Sequence, residues 1–173
     1  MQALGIPLEQ APGLTGVTRE VTVTGALPSH PDGRRLYDLW KEKAGFIVGE
    51  DIPSRRLSRL LPNLALCDYR ASHEDFRIRV AGFALIRLFG KDIAQCNLRE
   101  IVRDDEHPCL ASVMMNVRDT GEPLVFDARF SSEERQLVHF ETLLLRVLAA
   151  DRKTPLVLAG LFFFNPPRAQ AAE

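Results

Sequence analysis

The chain has 173 residues, 46% of them hydrophobic and 26% charged, which is enough for one domain with a sizeable core and unlike a disordered or fibrous chain. Lys plus Arg number 22 and Asp plus Glu 23, for a net charge of -1, a balance that gives no electrostatic reason to expect nucleic-acid or anionic-membrane binding. The three cysteines, Cys67, Cys96 and Cys109, form no CxxC pair and no Cys/His cluster, which points to reduced thiols in a cytoplasmic protein.

Residues 1–33 are rich in Gly, Pro and Thr and read as an N-terminal arm. "MQALGIPLEQAPG" has neither a basic n-region nor an apolar centre, so no signal peptide is expected. In "TREVTVTG", Thr18 to Gly25, Val21 and Val23 alternate with polar neighbours, as in a short edge strand. "SHPDG" reads as the turn that closes the arm. From Arg34, "RRLYDLWKEKAGFI" places Leu36, Leu39, Trp40 and Ile47 near one helical face, opposite Asp38, Lys41 and Glu42. That pattern predicts an amphipathic helix outside the core that follows. "IPSRRLSRLLPNL" predicts a short helix from Pro53 that ends before Pro62. Arg55, Arg56 and Arg59 on it read as a solvated face.

The period then changes. "LALCDYR", Leu64 to Arg70, and "FRIRVAG", Phe76 to Gly82, predict two hairpin strands joined by "ASHED". Phe76, Ile78 and Val80 are expected on one face, Arg77 and Arg79 on the other. "FALIRLFG" predicts a short helix ended by Gly90, and "NLREIV" a helical turn. "HPCLASVMMNVRDTG" predicts a longer helix, with Pro108 at its start, Gly121 at its end, and Leu110, Val113, Met114 and Val117 on the buried side. Three strands follow, over Pro123–Phe130, Gln136–Ala150 and Thr154–Phe164, joined by "SSEER" and "DRKT". The longest apolar run, Pro155 to Phe164, is too short to cross a bilayer as a helix. The tail "NPPRAQAAE", residues 165–173, is expected to be disordered.

Antiparallel-type strands around a helical insert make the fold class α+β. The long apolar runs of the last two strands imply that both sheet faces are covered, either by the Leu36–Ile47 helix or by a partner subunit.

Two glycines, Gly82 and Gly90, bracket bulky Phe83, Leu85, Ile86 and Leu88. A phosphate loop needs backbone N–H groups free to approach an anion, and these side chains block that. Gly82 reads instead as a strand-to-helix corner. No Ser or Cys sits in a nucleophile elbow. His139 and Glu141 share one strand face and make the one candidate acid–base pair, the basis of an alternative reading as a small-molecule enzyme on a cone-like α+β fold.

The order of elements resembles that of a PAS domain: two strands, a helical middle, three strands. "LYDLW", "IPSRRLSRLLPNLALCDY", "FRIRVAG", "LFGKDIAQCNLREI" and "DTGEPLVF" resemble a bacterial group of single-domain PAS-like proteins. The resemblance covers Leu36 to Phe164. It implies a five-stranded antiparallel sheet with short helices on one face and an additional N-terminal amphipathic helix. The expected division is an arm at 1–33, a PAS-like domain at 34–164 and the tail. The implied function is a sensory or regulatory module, cytoplasmic and without intrinsic catalysis. It would form a homodimer through Leu36, Leu39, Trp40 and Ile47, and contact a signalling partner or a small-molecule ligand. Neither nucleic acid nor membrane is expected as a partner.

Three positions depart from the group's pattern: Phe83, where a small or hydroxylated residue is usual, Cys96 in place of a glycine, and Arg146 in place of a proline. All three fall where a ligand pocket would be rimmed. A pocket between helices and sheet would be lined by Phe83, Ile86, Met114, Phe126, Leu143, Leu145 and Arg146, and the same side chains also describe a filled core. Flavin is disfavoured because Cys96 precedes Asn97 instead of following it. Haem is disfavoured because His107 stands at the start of its helix and not on the inner face. No cofactor is required, and Asp104, Asp105 and Glu106 suit a helix N-terminus without any metal.

Overall fold

A computed structural model describes residues 18–131 and 137–164. Six strands form one antiparallel sheet: β1 (Thr18–Gly25), β2 (Leu64–Arg70), β3 (Asp75–Ala81), β4 (Leu124–Ser131), β5 (Leu137–Leu148) and β6 (Pro155–Phe163). Their order is β1-β4-β5-β6-β2-β3. Five strands are expected from the resemblance. The sixth is the arm strand β1, which pairs along β4 from Thr18↔Ser131 to Val23↔Phe126. The arm residues 1–17, most of "SSEER" and the tail 165–173 lie outside the described residues.

The helices take both faces of the sheet. α1 (Pro31–Glu42) lies on one; α2 (Phe83–Phe89), α3 (Leu98–Ile101) and α4 (His107–Thr120) lie on the other. Each central strand divides its side chains between the two layers, as the period of two requires. On β5, Leu143, Leu145 and Val147 pack toward α1, while Phe140 and Leu144 pack toward α4. On β6, Leu156, Leu158 and Phe162 face α1, and Val157, Ala159 and Leu161 face α4. This double coverage explains the continuous apolar runs. Each fully buried Leu or Phe side chain stabilises the fold by about 1.5–3 kcal/mol.

α1 begins three residues earlier than the turn reading of "SHPDG" allows, with Pro31 in its first turn and His30 as its cap. Leu36, Leu39 and Tyr37 are buried against the sheet. Trp40 packs on the same cluster, and its indole Nε1 donates to the Arg146 carbonyl at 2.8 Å. Ile47 lies beyond the helix, where it bridges Leu148 in parallel register. Of the four residues named for a dimer interface, Leu36, Leu39 and Trp40 pack on the chain's own sheet, and Ile47 is half-buried beside it.

Two expectations, the Pro53 helix and the face of Val80, are corrected. The Pro53–Leu61 helix is instead two 3-10 turns, Arg55–Leu57 and Leu61–Asn63, closed by short-range bonds such as Leu57 N to Ser54 O at 3.1 Å and Asn63 N to Leu60 O at 2.9 Å. On α4, Leu110, Val113, Met114 and Val117 do share the face toward the core, with Met114 and Val117 fully buried. Val80 does not share the face of Phe76 and Ile78. Cys67 pairs with Ile78 but Leu66 pairs with Val80, so one step on β2 spans two on β3. This bulge at Arg79 turns Val80 to the other face at the sheet edge, where it is exposed.

Two glycines set corners that position the helices. Gly82 opens α2, and a Cβ there would lie 2.2 Å from the Pro62 carbonyl oxygen; no side chain fits so close to fixed backbone. Gly121 ends α4 with φ 76°, the left-handed conformation that favours glycine.

Candidate functional site

The side chains expected to line one pocket do not converge. Met114 is buried in the core between α4 and the sheet, and Phe126 is half-buried against that core. Leu143 and Leu145 are fully buried on the opposite face, toward α1. The parity of β5 decides this, since residues 143 and 145 point away from α4. Ile86 is half-buried on α2. Phe83 is 54% exposed, with the Arg87 guanidinium 5.0 Å above its ring centre. Arg146 is not a buried cation. It lies half-buried across Gly121, with Nη1 3.4 Å from the Asp119 carbonyl oxygen. The space where a ligand would sit is occupied by Met114, Val117, Phe140 and Leu144, none more than 3% exposed.

Polar groups gather instead at the start of α1. Glu141 is buried on β5. The Ser29 N–H donates to its Oε2 at 2.9 Å and the Ser29 hydroxyl to the same oxygen at 2.7 Å; the His30 N–H donates to Oε1 at 3.0 Å. These three bonds give the buried carboxylate the partners it needs. His30 then caps α1. Its Nδ1 accepts from the Asp32 N–H at 3.1 Å, and its Nε2 lies 3.1 Å from the Phe163 carbonyl oxygen. A backbone donor at one nitrogen and a carbonyl at the other leave only the neutral tautomer with hydrogen on Nε2. The His30 ring stacks on Phe162 and touches Phe164.

His139 joins this group from two residues before Glu141. Its Nε2 lies 3.1 Å from Asp127 Oδ2, and its ring is 4.3 Å from that of Phe164. His139 and Glu141 do share one strand face. His139 is engaged through Nε2, however, and Glu141 acts as the anchor of the Ser29–His30 segment. Ser29 and His30 carry no assignment in the sequence because "SHPDG" fits a turn; the available signal is Pro31, a residue type favoured at the first position of a helix.

A second buried carboxylate, Asp75, ties three elements together on the other face. Phe76 N donates to its Oδ1 at 2.9 Å, and His107 Nε2 at 2.7 Å; Arg99 N and Nε donate to Oδ2 at 3.1 and 3.2 Å. Burial alone would raise its pKa. The bonds from His107, from the Arg99 and Phe76 amides and from the Arg99 side chain outweigh that and hold it below the ordinary carboxylate value. His107, the first residue of α4, is thus a structural clamp on β3. Among the described residues, no three His, Cys, Asp or Glu side chains group as metal ligands would. The three cysteines are free, and burial pushes the Cys67 thiol up to about 12.

Open clefts lie on the surface of the described residues. One, of about 260 Å³, is lined by His30, Asp32, Asn63, Ala84, Arg87, Phe162 and Phe163. It lies between the starts of α1 and α2. Asn63 is held there by its Nδ2–H bond to the Leu161 carbonyl at 2.8 Å. Another runs along α1 beside Arg34, Arg35 and Arg56, where Arg56 forks onto Glu42 with two bonds of 3.0 Å. Arg55, Arg56 and Arg59 are exposed. No helix among the described residues is long and apolar enough to cross a membrane.

No curated protein matches the chain. A family model described as "PAS domain" matches residues 28–163, most of the chain and both layers of the sheet. With the α+β architecture that carries α2 to α4 on one face of an antiparallel sheet, this places the chain in the PAS domain family, whose members are in general sensory and regulatory modules.

Proposed function

We propose that the chain is a cytoplasmic regulatory module that acts by contact with a partner protein, without holding a ligand in its interior. Its working unit is residues 34–164, with β1 as an added edge strand. The observation that carries this reading is the filled space between the sheet and α4. Met114, Val117, Phe140 and Leu144 close it, and two departures from the family pattern bring no polar group into it: Phe83 turns outward and Arg146 lies over Gly121.

The engagement of Glu141 counts against the alternative of catalysis from His139 and Glu141. A general base needs a lone pair directed at a substrate, and the Glu141 oxygens accept from Ser29 and His30 inside the fold. Native mass spectrometry of the freshly purified chain tests the proposal. The expected masses are those of the polypeptide and its assemblies alone. A small molecule retained at one equivalent per chain would reject the filled interior.

A further inference from the structure

The described residues include two exposed large aromatic side chains, Phe83 at 54% and Phe164 at 37%. Both flank the cleft between the starts of α1 and α2. Phe83 lies under the guanidinium of Arg87, a lining residue. Phe164 lies 5.0 Å from the ring of His30, another lining residue, and 4.3 Å from His139. Aromatic rings and arginine are the residue types enriched at protein contacts, and among the described residues neither ring belongs to a core cluster.

The polar groups of the cleft differ in what they have left to offer. Both nitrogens of His30 are committed within the fold, and so is the Asn63 amide nitrogen. Asp32 sits in the first turn of α1, where the helix dipole favours its charge. Arg87 is exposed, and no carboxylate among the described residues pairs with it. Its guanidinium therefore presents donors and a full charge to whatever enters. An open cleft flanked by exposed rings suits a chain segment laid across it better than an enclosed small molecule.

We propose that this cleft docks an extended segment of a partner protein, one that presents a carboxylate to Arg87 and an apolar side chain to the Phe83 and Phe164 rings. The proposal rests on the reading of the chain as a contact-making module and names the surface and the chemistry of the partner. A phage-displayed random peptide library panned on the full chain tests it, with enriched peptides then titrated by fluorescence anisotropy. The expected peptides carry Asp or Glu next to an aliphatic or aromatic residue. Arg87→Ala and Phe83→Ala, both exposed and expected to melt like the unmodified chain, should each weaken binding at least tenfold. Arg56→Ala, on the other cleft, should leave it unchanged. No enrichment, enrichment of peptides without a carboxylate, or affinity indifferent to Arg87→Ala and Phe83→Ala would overturn the proposal. Tight peptides indifferent to both variants would reject this cleft alone and leave the contact-making reading standing. A retained stoichiometric ligand in native mass spectrometry would instead reject that reading.

Discussion

The Ser29 hydroxyl donates to the buried carboxylate of Glu141 at 2.7 Å, across a sequence separation of 112 residues. That bond and the two amides beside it fasten the entry of α1 to the middle of the sheet. Glu141→Gln keeps the shape but removes the charge. The three donors would then face a single amide oxygen and an N–H₂ group. Hydrogen bonds to charged groups contribute about 1.5–3 kcal/mol, so the expected loss of stability is on the order of 2–3 kcal/mol in a denaturant titration. Ser29→Ala removes one donor and leaves the amides in place, for a loss of about 1 kcal/mol.

Trp40 separates a covered helix from an interface helix. Its ring packs on the α1-side core and its N–H is bonded to the Arg146 carbonyl. Trp40→Glu would place a charge against apolar neighbours and leave that carbonyl without its donor. The expected result is a loss of about 3 kcal/mol, seen as an earlier denaturation midpoint. A variant of unchanged stability and reduced assembly mass in light scattering would support the interface reading.

Much of this fold is legible in local text. The β2–β3 hairpin, α2, α4 and the last three strands follow from period, caps and turns, because those features act over a few residues. Gly90 and Gly121 stop their helices in the left-handed conformation that glycine tolerates. What the text hides is non-local. The face of Val80 depends on a bulge that exists only once β3 has paired with β2. The fate of Glu141 depends on a loop more than a hundred residues earlier, and the fate of the apolar α1 face on which sheet it meets. Phe83, Met114 and Leu143 are all apolar and all near PAS-like landmarks, yet strand parity and helix phase send them to solvent, to one core and to the other.

Asp75 gives the fold a defined acid response. Its pKa in the folded chain is held below the ordinary value, which is about 3.9 for an aspartate in an unfolded chain. The stabilisation it supplies is therefore complete above that value. It is lost as pH falls further, through the depressed folded value, because the unfolded chain takes up the proton first. Asp75→Asn should cost on the order of 2 kcal/mol at pH 7. The gap between the variant and the unmodified chain should narrow below about pH 4. Urea titrations at pH 7, 4 and 3 read this directly, and a gap that widened toward pH 3 would contradict the clamp.

The filled interior is tested most directly by adding volume to it. Val117 is fully buried on α4 in the core between helices and sheet. Enlarging a well-packed core side chain typically costs 1–3 kcal/mol, so Val117→Phe should lower the stability of the purified chain by roughly 2–3 kcal/mol in a guanidinium titration. A Val117→Phe chain as stable as the unmodified one, or more stable, would show that the interior has room for a ligand and would contradict the account.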